Sequence, residues 1–198
     1  ALAMGYFGAG QIDTAIAEYQ TAISLDRSTA SAALALGDFY TARNQLSEAL
    51  AAYRQAAATD GGSTASAIAI GDALMQLDQT AAAAEQYRQA AQGSPGSSAP
   101  EVALGNLYCE QRNYAQAAQA YQRALAVQPG DAGLHAALAT LFLLDETHSP
   151  DEALAQADLA LALSPGSAVA HAVKANILAR DFGDTVQAQS LYEGAVRI

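Results

Sequence analysis

Residues 116–131 read QAAQAYQRALAVQPGD, an alanine-rich run closed by Pro-Gly-Asp. Close variants recur: AIAEYQTAISLD from Ala15, ALAAYRQAAATD from Ala49, AAAEQYRQAA from Ala82 and AQSLYEGAV from Ala188. The recurrence keeps a step. Gly37, Gly71 and Gly105 are each 34 residues apart; Tyr40, Leu74 and Tyr108 keep that spacing, as do Tyr53, Tyr87 and Tyr121. Such a period marks a stacked repeat array, in which one unit cannot bury its apolar face alone. Upstream, Ala3, Tyr6, Ala15, Tyr19 and Ala22 fall in register. Downstream, two residues are added near DETHSP and one near RDFGD, after which Ala188, Tyr192 and Ala195 complete a sixth copy.

Within one copy the residue choices predict a helical hairpin. Alanine is the best helix former and loses no side-chain entropy. In the fourth copy the pattern predicts a helix from Pro100 to Gln111 and another from Ala115 to Val127. Pro100 suits a first turn, and Pro129-Gly130 stops the second helix. Gly105 and Ala117 let the two helices approach, with Tyr108 and Tyr121 filling the space beside the crossing.

This spacing resembles the tetratricopeptide repeat, whose pattern is a small residue, an aromatic, then A-x-x-x-aromatic-x-x-A and Pro. The two alanines of that pattern match Ala15, Ala49, Ala83, Ala117, Ala153 and Ala188, and Ala22, Ala56, Ala90, Ala124, Ala160 and Ala195. The resemblance implies an all-α fold: an α-α superhelix, or right-handed solenoid, of about six stacked helix-turn-helix repeats. The expected organisation is a single array over 1–198, with repeats at 1–29, 30–63, 64–97, 98–131, 132–167 and 168–198, the first and last truncated. The fifth copy departs from the pattern, with Ala139 at the small position and Ala157 at the second aromatic one, and is expected to pack loosely or sit at a bend.

Other stretches suggest other things and are outweighed. GSPGSSAP at 93–100 has linker composition, yet the 34-residue step runs straight through it. Ser149-Pro150-Asp151-Glu152 is a helix start with Ser as N-cap and Glu three residues on. Asp145, Glu146, His148 and Asp151 lack the pairing of a helical metal motif and read as a solvated acidic turn. His135 and His171 hold equivalent places in copies five and six, which points to structural roles. Cys109 has no partner base in its sequence context and reads as a small groove-lining hydrophobe. Eight of nine tyrosines fall on repeat aromatic positions, which makes them core. No phosphate loop, nucleophile elbow or zinc-protease motif occurs, so no enzyme activity, cofactor or metal is expected.

Net charge is −11, with eight Arg and one Lys. That balance disfavours nucleic acid and anionic membrane surfaces as partners. No segment has the length and apolarity of a membrane span or signal peptide. A soluble protein of bacterial cytoplasm or periplasm is expected, the bacterial origin resting on composition alone.

The resemblance implies that first helices line a concave groove. Three rows would face it: a polar ladder of Met4, Asp38, Asp72, Asn106, Thr140 and Asn176; an apolar row of Leu34, Ile68, Val102, Ala136 and Ala172; and Phe7, Thr41, Met75, Cys109, Leu143 and Ala179. The partner-binding residues are expected to be Asp38, Asp72, Asn106, Thr140, Asn176, Leu34, Ile68, Val102, Met75 and Cys109. Family members that clamp a C-terminal carboxylate do so with Lys and Arg in these rows; here only Lys174 and Arg180 are basic and near. The expected function is a non-enzymatic scaffold that binds a protein or peptide segment with apolar anchors and some positive charge. Two rival readings stand beside it: the substrate-presenting array of a larger enzyme such as an O-linked N-acetylglucosamine transferase, and an oligomerisation module. Neither end shows a polar capping element. The chain is therefore expected to be part of a longer protein, or to self-associate through uncapped ends.

Overall fold

A computed structural model describes residues 12–25, 30–144 and 149–197. Every regular element among them is an α-helix: α1 (Ile12–Leu25), α2 (Ala30–Ala42), α3 (Leu46–Asp60), α4 (Thr64–Gln76), α5 (Thr80–Gly93), α6 (Ala99–Glu110), α7 (Tyr114–Val127), α8 (Ala132–Leu144), α9 (Pro150–Leu163), α10 (Ala168–Asp181) and α11 (Thr185–Arg197). The fourth-copy helices lie within one residue of their expected bounds. The acidic turn expected at Asp145, Glu146 and His148 lies outside the described residues, as do Met4 and Phe7.

The chain divides at Pro95/Gly96, inside GSPGSSAP, into two compact units, and each is described by itself. In the first unit, α2 packs on α3, α4 on α5, and α3 on α4. In the second, α6 pairs with α7, α8 with α9 and α10 with α11, while α7 meets α8 and α9 meets α10. Among the described residues, helices touch only neighbours one or two steps along the chain; the two-step contacts are α2 with α4 and α8 with α10.

The turns repeat as faithfully as the helices. Within copies two, three and four, Asn44, Asp78 and Arg112 take left-handed backbone, with φ of 58°, 59° and 56°. The next residue's N–H then bonds back to the carbonyl of Tyr40, Leu74 or Tyr108 at 2.8 Å. Between copies, α3 ends on Gly61, whose left-handed φ of 74° lets its N–H reach Ala57 O. Asp60 anchors that turn, accepting from Gly62 N and Ser63 N at 3.0 Å and from Ser63 Oγ at 2.6 Å. Burial raises this carboxyl's pKa, but the bonds from Ser63, Ser66 and Gly62 outweigh it and hold the group below its ordinary value. Ser149 and Glu152 form the expected capping box at the start of α9.

The core is alanine and leucine with tyrosines inserted. Ala49, Ala56 and Ala83 in the first unit, and Ala117, Ala124, Ala153, Ala157 and Ala160 in the second, are fully buried. The fifth copy is therefore not loose. Ala153 and Ala157 share a cluster with Leu138, Ala139, Phe142, Val173 and Ile177, so large aliphatic and aromatic groups from α8 and α10 fill the space a tyrosine would take.

Candidate interaction face

In copies two to four one arrangement is built three times. Gly37, Gly71 and Gly105 are buried under the rings of Tyr53, Tyr87 and Tyr121, which an added Cβ would overlap. Each tyrosine comes from the second helix of the hairpin and is at most 6% exposed. Its hydroxyl emerges at the residue after the glycine. Tyr53 donates to Asp38 Oδ1 at 2.8 Å, Tyr87 to Asp72 Oδ1 at 2.5 Å and Tyr121 to Asn106 Oδ1 at 2.6 Å. In copy six Tyr192 donates to Asn176 Oδ1 at 2.5 Å, with Ala175 at the glycine place. In copies two, three and four the ladder residue is thus tied to its own hairpin's core by a phenol.

The ladder residues themselves stand in solvent. Asp38, Asp72, Asn106 and Asn176 are exposed, while Thr140 is half-buried and turns its hydroxyl back to Ala136 O at 2.9 Å. Copy five has Ala157 at the donor place, so Thr140 has no counterpart of that tyrosine bond. Beside the ladder, Leu34, Ile68 and Met75 in the first unit and Val102 and Cys109 in the second are half-buried. Ala136, expected in the apolar row, is buried.

In the first unit the helices that carry Asp38 and Asp72 touch each other. Both carboxylates act on Tyr53. Burial pushes that phenol up to about 12; a bond from Thr41 opposes the rise, and the bond and charge of Asp38, then the charge of Asp72, add to it. Tyr121 is likewise raised, first by burial and then by Cys109, whose Sγ lies 3.7 Å from its hydroxyl. A tyrosine held protonated remains a donor. One oxygen of each aspartate is thereby held and oriented.

The two basic residues near copy six are engaged. Lys174 Nζ lies 2.6 Å from Asp158 Oδ1; Arg180 Nε lies 2.9 Å from Asp181 Oδ1, and its Nη1 donates to Leu143 O at 2.7 Å. His135 and His171 have structural partners: Nε2 of His135 donates to Pro129 O at 3.2 Å, and Nε2 of His171 to Pro165 O at 2.9 Å, each pinning a helix start to the turn before it. Among the described residues no three His, Cys, Asp or Glu side chains gather as metal ligands would, and no described helix is long and apolar enough to cross a membrane.

The phenol-to-ladder bonds are absent from the expectation, which placed the tyrosines in the core and stopped there. Their signal is in the sequence: Asp or Asn precedes Tyr by 15 residues three times, and the threonine of copy five coincides with the lost tyrosine.

Comparison with known proteins gives one answer. Two models of the tetratricopeptide repeat match, one over residues 1–66 and one over 74–141. No curated protein sequence matches the chain. Among solved structures, pilF of Pseudomonas aeruginosa is similar, with 22% identity, a TM-score of 0.76, and coverage of 96% of this chain and 85% of that one. The C-terminal part of a TPR repeat-containing protein from Cytophaga hutchinsonii gives 15% identity and a TM-score of 0.79, covering 99% and 77%. YrrB gives 18% identity and a TM-score of 0.65, covering 90% and 91%. Period, helical hairpins and matched models agree: the chain belongs to the tetratricopeptide repeat family.

Proposed function

We propose that this chain is a non-enzymatic interaction scaffold, and that its ladder residues with their half-buried apolar neighbours receive a segment of another protein. The observation that carries the reading is the pair of exposed carboxylates, Asp38 and Asp72, each held by a phenol on one oxygen. An oriented carboxylate loses less entropy on pairing than a free one. Leu34, Ile68 and Met75 beside them supply apolar contact, so the favoured segment carries aliphatic anchors alternating with Lys or Arg. In the second unit the oxygens of Asn106 and Asn176 accept from tyrosines, which leaves their amide N–H groups to meet backbone carbonyls. YrrB, described as a TPR protein with an unusual peptide-binding site, supports a peptide ligand, and so does the general use of concave faces by repeat arrays.

The test is a displayed peptide library panned on the wild-type chain and on Asp38→Lys/Asp72→Lys. The wild type is expected to enrich basic-aliphatic sequences whose affinity falls as salt rises, and the double variant to lose them. Identical enriched sequences from both chains would overturn the proposal.

A further inference from the structure

Two rows cross the first unit side by side. Asp38 and Asp72 hold equivalent places on α2 and α4, which touch each other, and both are exposed. Leu34 and Ile68 stand four residues earlier on the same helices, half-buried, so each lies one turn from its aspartate on the same face. Both carboxylates act on the phenol of Tyr53, so they lie near one another. Packed helices run about 8–10 Å apart, axis to axis, which sets the step from Asp38 to Asp72 and from Leu34 to Ile68.

That step selects a backbone. A β-strand returns a side chain to the same face every second residue, after about 6.7 Å, and falls short. An α-helix takes seven residues, about 10.5 Å, and keeps its carbonyls for its own N–H groups. Polyproline II has three residues per turn and rises about 3.1 Å per residue, so a side chain returns after about 9.3 Å with the backbone unpaired. Its three directions fit the two rows. One residue of each turn meets an aspartate, a neighbour meets Leu34 or Ile68, and the third faces solvent. The free carbonyls matter as well. In copy four the ladder place is Asn106, whose oxygen accepts from Tyr121 and whose amide N–H groups suit a carbonyl.

We propose that the ladder of the first unit reads a polyproline II segment with Arg or Lys at every third residue and an aliphatic residue beside each. This rests on the peptide-binding reading of the ladder and adds the conformation and the period of the segment.

Three labelled peptides are titrated against the full 198-residue chain by anisotropy. The first is Arg-Leu-Pro repeated five times: Pro favours the required backbone, and the rigid guanidinium fork tolerates a misplaced carboxylate less than Lys does. The second has the same composition with its arginines at alternate positions. The third is a stapled alanine-rich helix with Arg and Leu each at seven-residue steps. The first is expected to bind at least about fivefold tighter than either of the others. Asp38→Asn and Asp72→Asn each remove one charge and keep an oxygen for the phenol, as Asn106 does. Each is expected to weaken the first peptide about two- to fivefold, and the two together to abolish its advantage. The period is overturned if either other peptide binds as tightly as the first. Should Asp38→Lys/Asp72→Lys remove that binding, the ladder still stands as the peptide site. If no peptide depends on the aspartates, the period is likewise overturned, and the library panning decides whether the ladder reading falls with it.

Discussion

In the α4–α5 hairpin, Gly71 lies beneath the ring of Tyr87, whose hydroxyl holds Asp72. In the α8–α9 hairpin those three places are Ala139, Ala157 and Thr140. Both are closely packed: Tyr87 is 2% exposed, and Ala139 and Ala157 are fully buried. The first hairpin fills the crossing with one large ring over a bare backbone. The second uses two methyl groups and draws Phe142, Leu138 and Ile177 around them. Volume is conserved by different means, which cores tolerate well. The surface consequence differs more. A ring that crosses the core delivers a hydroxyl to the ladder and fixes an exposed carboxylate; without it, Thr140 satisfies itself on Ala136 O. Interior packing and surface polarity are therefore coupled, copy by copy.

Gly71→Ala puts the strongest strain on this comparison. Helix propensity alone favours alanine by about 1 kcal/mol. The new Cβ would overlap the buried ring of Tyr87, so a net loss of about 1–3 kcal/mol is expected in urea unfolding. Adding Tyr87→Ala recreates the fifth-copy pair, and the double variant is expected to lose clearly less than the sum of the two singles. Simple additivity would mean that the glycine and the ring are not one device.

A second expectation concerns alkaline pH. Tyr53 is raised to about 12 from 10.0, so its stabilising effect is complete below pH 10 and is lost as pH climbs from there toward 12. Ultraviolet titration is expected to show late ionisation from both Tyr53 and Tyr121 in the native chain, and Tyr53→Phe is expected to remove one tyrosine's share of it. Ionisation of all tyrosines together near 10 would sever the link between burial and the held donor.

The smallest effect lies in the turns. Asn44 and Asp78 tolerate left-handed backbone through their short polar side chains, whereas Arg112 adopts it with no such help. Arg112→Asn is expected to stabilise by roughly 0.5–1 kcal/mol, seen as a modest rise in Tm, and Asn44→Arg to cost about the same. No change in either variant would show that this backbone conformation carries little strain.

Most of the architecture was legible because the period repeats every packing decision. The step from Gly37 to Gly105 set the hairpins, and Ser149 with Glu152 announced a helix start. Exposure of Asp38, Asp72, Asn106 and Asn176 followed from helical phase once the family resemblance had assigned the first helices an open face. What phase could not supply was the reach of the tyrosines. Placing a phenol oxygen on a carboxylate 15 residues away requires the angle at which two helices cross, and no single helix encodes that. The expected looseness of copy five failed for a related reason. Losing a ring leaves a void only if neighbours stay put, and here residues from α8 and α10 converge on Ala157.

Among the described residues each helix rests only on near neighbours along the chain, so none of these helix contacts has to close a long loop. Folding can start at any hairpin and spread outward, and gene duplication can lengthen the molecule by one 34-residue module without redesigning the modules already present. Change of length is thereby the least costly path open to its evolution, and the identity of a ligand can shift by exchanging one module at a time.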